Sequence, residues 1–192
     1  YSMDSTFLGQ GSYGCVYKKK LRCMDAKHPT IFQNTAHTKD KVISKIYLNK
    51  KYATREIEIG KYITKIPNYK HYFSPVLENC NASLAQISNT DIDKCDFIDS
   101  KIPQTYFTTM TKYIKGETIN EYIKKYKKMS KSSPHALDNK IFYIYTCLTK
   151  SIAILNEHKI THFDLSERNI IIDSTDRPII IDYGMSIKTD SI

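Results

Sequence analysis

The sequence contains no tryptophan, and it has only 6 glycines and 6 prolines among its 192 residues. It also has no apolar run of the roughly 18 residues that a membrane-spanning helix requires. Its first residues do not show the basic and then apolar layout of a secretory signal. These absences argue against membrane insertion and secretion, so we expect a soluble, intracellular protein of the cytoplasm with no membrane partner.

Cysteine is present in an odd number, and the close paired spacings of a zinc site are missing. The 5 cysteines are Cys15, Cys23, Cys80, Cys95 and Cys147. In an intracellular protein such scattered cysteines are expected to be reduced thiols.

Positive charge is in excess, since 29 Lys and Arg against 20 Asp and Glu give a formal net charge of +9. Such a charge attracts polyanions, nucleic acid included. The lysines are nevertheless scattered outside the segment YIKKYKKMSK at 122–131. We therefore do not expect nucleic acid to be the primary partner. A hydrophobic content of 41% is enough to form a buried core.

The first part of the chain is mainly β-like and carries one helix. Apolar and β-branched residues alternate with polar ones over 5–20 and 40–48, which predicts strands, and a further strand is predicted over 104–114. Isoleucines recur at helical spacing over 53–66, and this predicted helix ends before Pro67. Two polar segments are predicted insertions, near 21–40 and 81–103.

The second part changes character from about residue 117. Apolar residues recur every three to four positions over 117–129 and 136–158, which predicts two helices. A polar loop, two isoleucine-rich runs and the turn STDRP between them then predict a β-hairpin. The whole chain is therefore expected to be of the α+β class.

The segment GQGSYGCVYK at 9–18 carries Gly9, Gly11 and Gly14 with G-x-G-x-x-G spacing. That spacing occurs in dinucleotide-binding turns and in hairpins that cover phosphates. A dinucleotide-binding turn opens a helix, whereas β-forming residues follow here, so the hairpin is favoured. Glycine suits this task because backbone N–H groups can then approach a phosphate without obstruction by side chains.

Further motifs follow in an order that resembles the eukaryotic-type protein kinase family along nearly the whole chain. Val16 follows the glycines, VISK ends in Lys45, and the helix segment REIEI contains Glu56. HFDLSERN is similar to the family's catalytic loop, and DYG stands where Asp-Phe-Gly belongs; these motifs supply Asp164, Asn169 and Asp182. DLSERN is also similar to the Asp-Leu-Ser-Glu-x-Asn of the RIO atypical kinases.

The resemblance implies a bilobal, protein-kinase-like fold with ATP and Mg²⁺ as cofactors and a protein as substrate. Residues 1–114 would form the β-rich N-lobe and hinge, and residues 115–192 a truncated, mostly helical C-lobe. By the same resemblance Lys45 contacts the phosphates and Glu56 holds that lysine, while Asp164 accepts the proton of the substrate hydroxyl. Asn169 and Asp182 are the implied Mg²⁺ ligands.

The segment TTMTKYIKGETI resembles the family's hinge, where backbone groups bind adenine. Thr111 is then the gatekeeper, Lys112 and Ile114 offer backbone hydrogen bonds, and Glu117 is the candidate ribose ligand. The glycines and Val16 complete the implied nucleotide site.

Several positions depart from the family pattern. Phe163 replaces the usual Arg, which makes control by activation-loop phosphate doubtful, and Ile43 replaces a small Ala near adenine. Ser166 replaces the usual Lys, and Arg168 is a candidate for the missing charge. Only Met185–Ile192 follow DYG, so we expect a fragment or a reduced kinase.

Three function classes follow from these observations. The main expectation is a protein kinase that transfers the γ-phosphoryl group of ATP to Ser/Thr hydroxyls. The alternatives are a nucleotide-binding pseudokinase or scaffold and a RIO-like atypical kinase or ATPase. The sequence also resembles kinases of large DNA viruses, which would place it in the host cytoplasm or the virion.

Overall fold

A computed structural model of the chain describes residues 6–11, 13–24, 42–87, 89–98, 105–129 and 134–189. Most of the first predicted insertion and the end of the second lie outside the described residues. The chain divides into two compact units, which are Tyr1–Glu58 with Val76–Tyr113 and Ile59–Pro75 with Ile114–Ile192. The lobe boundary at residue 114 stays a prediction.

The first unit contains an antiparallel five-stranded sheet in the order β1-β2-β3-β5-β4. Its strands are β1 (Thr6–Gly11), β2 (Gly14–Lys18), β3 (Val42–Tyr47), β4 (Glu78–Ser83) and β5 (Thr105–Lys112). The strands predicted over 5–20, 40–48 and 104–114 are confirmed, with tighter limits. β4 runs into the segment that we predicted as an insertion.

One face of this sheet is buried by that second insertion. A 3₁₀ turn at Leu84–Gln86 and a short helix α2 (Asn89–Ile92) follow β4. The core includes Ile46 and Met110 from the sheet together with Leu84, Ile87 and Ile92 from the insertion. The second insertion therefore packs on one face of the sheet, because its apolar residues are buried against strand residues.

Two disulfides lie in the first unit, which corrects the expectation of reduced thiols. Cys15 on β2 is bonded to Cys95, and Cys23 is bonded to Cys80 on β4. Cys147 is a free cysteine. The partners are 80 and 57 residues apart, so only strand pairing and the folded insertion bring them together. The spacing of the cysteines along the sequence therefore does not indicate these two disulfides.

Helix α1 (Lys50–Ile63) confirms the predicted helix, three residues earlier than its expected start. Its earlier turns bury Ala53 and Glu56, and its later turns bury Ile59 and Ile63. The boundary between the two compact units falls within this helix, between Glu58 and Ile59.

The second unit carries both predicted helices, as α3 (Ile119–Met129) and α4 (Pro134–Glu157). Its strands are β6 (Gly116–Thr118), β7 (Ile160–Thr161), β8 (Ile170–Asp173), β9 (Pro178–Ile180) and β10 (Ile187–Lys188). The predicted hairpin is β8 with β9, β6 completes that sheet, and β7 pairs with β10. Among the described residues, no helix is both long enough and apolar enough to cross a membrane.

Candidate active site

The glycine-rich segment forms the predicted hairpin, in which Gly11 pairs with Gly14 and the register shifts between Phe7 and Gly9. A Cβ atom at Gly14 would lie 1.9 Å from the backbone oxygen of Ile46, so β2 can approach β3 only if residue 14 is glycine. At Gly9 a Cβ would meet nothing within 4 Å, and at Gly11 only a backbone oxygen at 4.0 Å. Packing therefore requires Gly14, whereas the backbone at Gly9 and Gly11 borders open space.

Strand register places several predicted nucleotide-binding residues on one face of the sheet. Val16 lies opposite Lys45, and Thr111 lies opposite Ile43. Opposed residues share a face, and so do residues two apart on one strand. Val16, Ile43, Lys45 and Thr111 therefore line the same face, away from the buried insertion. The side chain of Lys112 is exposed, and only its backbone was predicted to bind.

The predicted ion pair is present on this face. The Lys45 Nζ lies 3.2 Å from the Glu56 Oε2, and both side chains are largely buried. Tyr47 donates a hydrogen bond to the same carboxylate oxygen. Tyr47 belongs to none of the motifs, although a residue two positions after Lys45 on a strand lies on the same face as the lysine.

The glycine-rich hairpin is also held by contacts within its own unit. The Gln10 side-chain amide donates to Asp96 Oδ2 at 3.0 Å, and the Gln10 Oε1 accepts from the Asp96 N–H at 2.9 Å. At the tip, the Tyr13 ring stacks on the Tyr52 ring of α1 with centroids 4.3 Å apart. These contacts and the Cys15–Cys95 disulfide join the hairpin to α1 and to the second insertion.

In the second unit, Asp164 is exposed on a short loop after β7. The Asn169 side-chain amide donates to the Asp164 backbone oxygen at 2.8 Å and to its Oδ2 at 2.9 Å. Asn169 therefore orients the predicted catalytic carboxylate. Because both bonds use the NH₂ group, they leave the lone pairs of the Asn169 Oδ1 for a metal ion.

His162 forms hydrogen bonds that hold the loop that carries Asp164. Its Nε2 lies 3.0 Å from the Ile181 backbone oxygen, and the Asp164 N–H donates to its Nδ1 at 3.3 Å. Burial lowers the pKa of His162, although the bond to Ile181 and the carboxylates of Asp182 and Asp164 act in the opposite direction. The neutral imidazole fits both contacts, since Nδ1 can accept only when it carries no proton.

Asp182 follows directly on the residue that His162 binds. It has a left-handed φ of 58°, and the Gly184 N–H donates to its Oδ1 at 3.3 Å. The Ile181 N–H donates to the Asn169 backbone oxygen at 3.0 Å. The segments that carry the two predicted metal ligands are therefore joined by a backbone hydrogen bond.

Within the described residues, no group of three or more His, Cys, Asp or Glu side chains is placed to hold a metal ion. Mg²⁺ commonly takes one or two carboxylates together with substrate phosphates rather than a complete protein cage. The pair of Asp182 carboxylate and Asn169 amide oxygen therefore fits Mg²⁺ brought in with a nucleotide.

The remaining predicted residues lie at the start of the second unit. Ile114 follows β5 and is half-buried. Glu117 lies on β6 and forms an ion pair with Lys125 of α3, so its carboxylate already has a cationic partner. In the predicted catalytic loop, the Ser166 Oγ is buried without a hydrogen-bond partner among the described atoms.

Comparison with known families gives one match, to the family described as RIO domain, over residues 30–191. The chain belongs to the RIO family. RIO proteins are an atypical protein kinase family, so the predicted kinase-like relationship and α+β fold class are confirmed. RIO membership supports kinase-type transferase chemistry and ATP binding. The RIO match begins after the glycine-rich hairpin, and a search of curated proteins found no match.

Proposed function

We propose that this RIO-family chain transfers the γ-phosphoryl group of ATP to Ser or Thr hydroxyls of a protein, with Mg²⁺ as its metal. The observation that carries the proposal is the Lys45–Glu56 ion pair, at 3.2 Å, on the sheet face that also presents Val16 and Thr111. The oriented Asp164 in the second unit supports it. Protein is the proposed acceptor rather than nucleic acid.

The nucleotide would be bound by the residues that the glycine-rich, lysine and hinge motifs supply. The open backbone at Gly9 and Gly11 donates N–H groups to phosphate oxygens, because no side chain blocks their approach. The Lys45 ammonium binds the phosphates, while Glu56 keeps it in place. Val16, Ile43 and Thr111 line the adenine side, with backbone groups of Lys112 and Ile114 as its hydrogen-bond partners. Glu117 would reach the ribose by exchanging its bond with Lys125.

The side chains of the second unit would act on the acceptor. The Asp164 carboxylate, held by Asn169, accepts the proton of the attacking hydroxyl. Asp182 and Asn169 would hold Mg²⁺, which supplies charge neutralisation at the phosphates when bound. The buried hydroxyl of Ser166 lacks a partner among the described atoms and would find one in a bound group.

The RIO match supports a second candidate function, which is ATP hydrolysis without a protein acceptor. Water then takes the place of the substrate hydroxyl, and Asp164 accepts its proton. The same residues serve both reactions, so only the fate of the phosphate separates them.

To test the proposal, the protein is incubated with γ-labelled radioactive ATP and with Ser/Thr or Tyr acceptor peptides. The label is then measured on the peptides and as free phosphate. We expect label on Ser/Thr peptides, and Asp164→Asn should lower kcat by a factor on the order of 10² or more. Asp138→Asn, an exposed Asp-to-Asn change on α4, is the matched control and should leave kcat unchanged. Free phosphate alone would favour the ATPase. Nucleotide binding with neither product would instead indicate a pseudokinase.

A further inference from the structure

Tyr47 contacts both members of the Lys45–Glu56 ion pair. Its hydroxyl donates to the Glu56 Oε2, the same oxygen that Lys45 approaches. The Lys45 Nζ also lies 5.2 Å from the centroid of the Tyr47 ring. Thr109, opposite Lys45 on β5, has its Oγ1 3.3 Å from the Tyr47 hydroxyl.

These four side chains lie in a largely buried environment. Tyr47 and Glu56 are each 3% exposed and Thr109 is fully buried. A buried carboxylate is costly unless donors satisfy it, and a hydrogen bond to a charged acceptor is stronger than one between neutral groups. Glu56 therefore depends on its donors for a fixed position, and Tyr47 is one of them.

Lys45 and Tyr47 differ in how a bound nucleotide would affect their hydrogen bonds to Glu56. The Lys45 ammonium is attracted to phosphates, so nucleotide binding divides its hydrogen bonds between Glu56 and the ligand. The Tyr47 hydroxyl is neutral and sits on a rigid ring packed in the core, so it stays with Glu56. It would keep the carboxylate in place while the lysine engages the phosphates.

We propose that Tyr47 is a positioning residue that holds Glu56, and through it aims Lys45 at the nucleotide. This inference rests on the proposed function, since it assigns to the ion pair the task of binding phosphates. Tyr47 itself touches neither ATP nor the acceptor in this scheme.

The variant Tyr47→Phe removes the hydroxyl and keeps the ring, so packing is preserved. Tyr122→Phe is the matched control, because Tyr122 is also buried and its hydroxyl also donates to a carboxylate, that of Asp176, at 2.9 Å. Both changes remove one tyrosine–carboxylate hydrogen bond. Only the first removes it from the ion pair.

The kinetic measurement is kcat and KM for ATP in both variants. We expect Tyr47→Phe to lower kcat/KM for ATP about tenfold, the scale of one hydrogen bond to a charged group. Its thermal midpoint should fall no more than that of Tyr122→Phe. In a Glu56→Gln background the added Tyr47→Phe change should have little effect, because the two residues act as one unit. Independent, multiplying effects, or a loss of stability alone, would overturn the proposal.

A second readout needs neither activity nor the Glu56 variant. An N-hydroxysuccinimide ester acylates lysine amines, and peptide mapping by mass spectrometry gives the labelling rate of Lys45. We expect a several-fold faster rate in Tyr47→Phe and the wild-type rate in Tyr122→Phe. Equal rates in all three proteins would refute the role of Tyr47. If the wild type neither hydrolyses nor transfers phosphate, the proposed function fails, while the labelling rates still decide the contribution of Tyr47 to the ion pair.

Discussion

At the scale of single residues, His162 carries a pH dependence. Burial, above all, lowers its pKa from 6.5. The unfolded chain therefore binds a proton at a higher pH than the folded protein does, and the free energy of unfolding should fall as the pH drops below about 6.5. Protonation would also remove the acceptor for the Asp164 N–H.

The measurement is urea denaturation between pH 5.5 and 7.5, on the wild type and His162→Gln. The variant should be less stable at pH 7.5, and its stability should depend less on pH than that of the wild type. His158→Gln, the same substitution at an exposed histidine, is the matched control. Parallel pH curves for the wild type and His162→Gln would show that this histidine does not titrate as described.

Site residues can be predicted from the sequence where they belong to one of the motifs that follow in kinase-like order. Lys45 and Glu56 were predicted as partners from order along the chain, and the structure brings them to 3.2 Å. The contacts of Tyr47 and the orienting bond from Asn169 to Asp164 were not predicted. Both depend on side-chain directions, which a motif does not encode. The functional roles of all these residues stay predictions until kinetics are measured.

At the scale of elements, one disulfide joins Cys15 of β2 to Cys95 of the second insertion, and the other joins Cys23, which follows β2, to Cys80 of β4. A native disulfide typically contributes about 2–4 kcal/mol to the free energy of unfolding. Reduction should therefore lower the urea midpoint of the first unit well below that of the oxidised protein.

Thiol titration tests the pairing directly. The oxidised protein in urea should show one reactive thiol, from Cys147, and the reduced protein all 5. Cys147→Ser should show none before reduction. Five thiols in protein purified without reductant would mean that Cys15, Cys23, Cys80 and Cys95 are not bonded.

Element length explains which parts of the fold were predictable. α4 extends over 24 residues and its periodicity is unmistakable. β7 and β10 have 2 residues each and β6 has 3, which is too short for an alternating pattern to form. The disulfides were missed for a different reason, because their partners meet only after the sheet has assembled.

At the scale of the whole molecule, nucleotide binding should stabilise the fold. A ligand that binds only the folded state at a hundredfold excess over its Kd adds about 2.7 kcal/mol. We expect ATP to raise the thermal midpoint and Mg²⁺ to raise it further. Asp182→Asn should remove most of the Mg²⁺-dependent part, since it removes the carboxylate that we propose as a ligand.

Asp176→Asn is the matched control for this change. Asp176 has a φ of 60°, close to the 58° of Asp182, and asparagine tolerates this left-handed conformation. Asp176 pairs with Lys140 outside the proposed site, so its variant should start from a lower midpoint and keep the full Mg²⁺-dependent increment. Equal increments in Asp182→Asn and the wild type would exclude Asp182 as a metal ligand.

The strand order has a consequence for synthesis on the ribosome. β5 lies between β3 and β4 in the sheet, yet it is the last of the five strands to be translated. At roughly 5–20 residues per second, β3 emerges several seconds before the strand that pairs with its second edge. During that interval the nascent chain presents an unpaired strand edge, which is a template for association with other chains. A chaperone that acts at the ribosome would find its target here, in the interval between the translation of Tyr47 and that of Thr105.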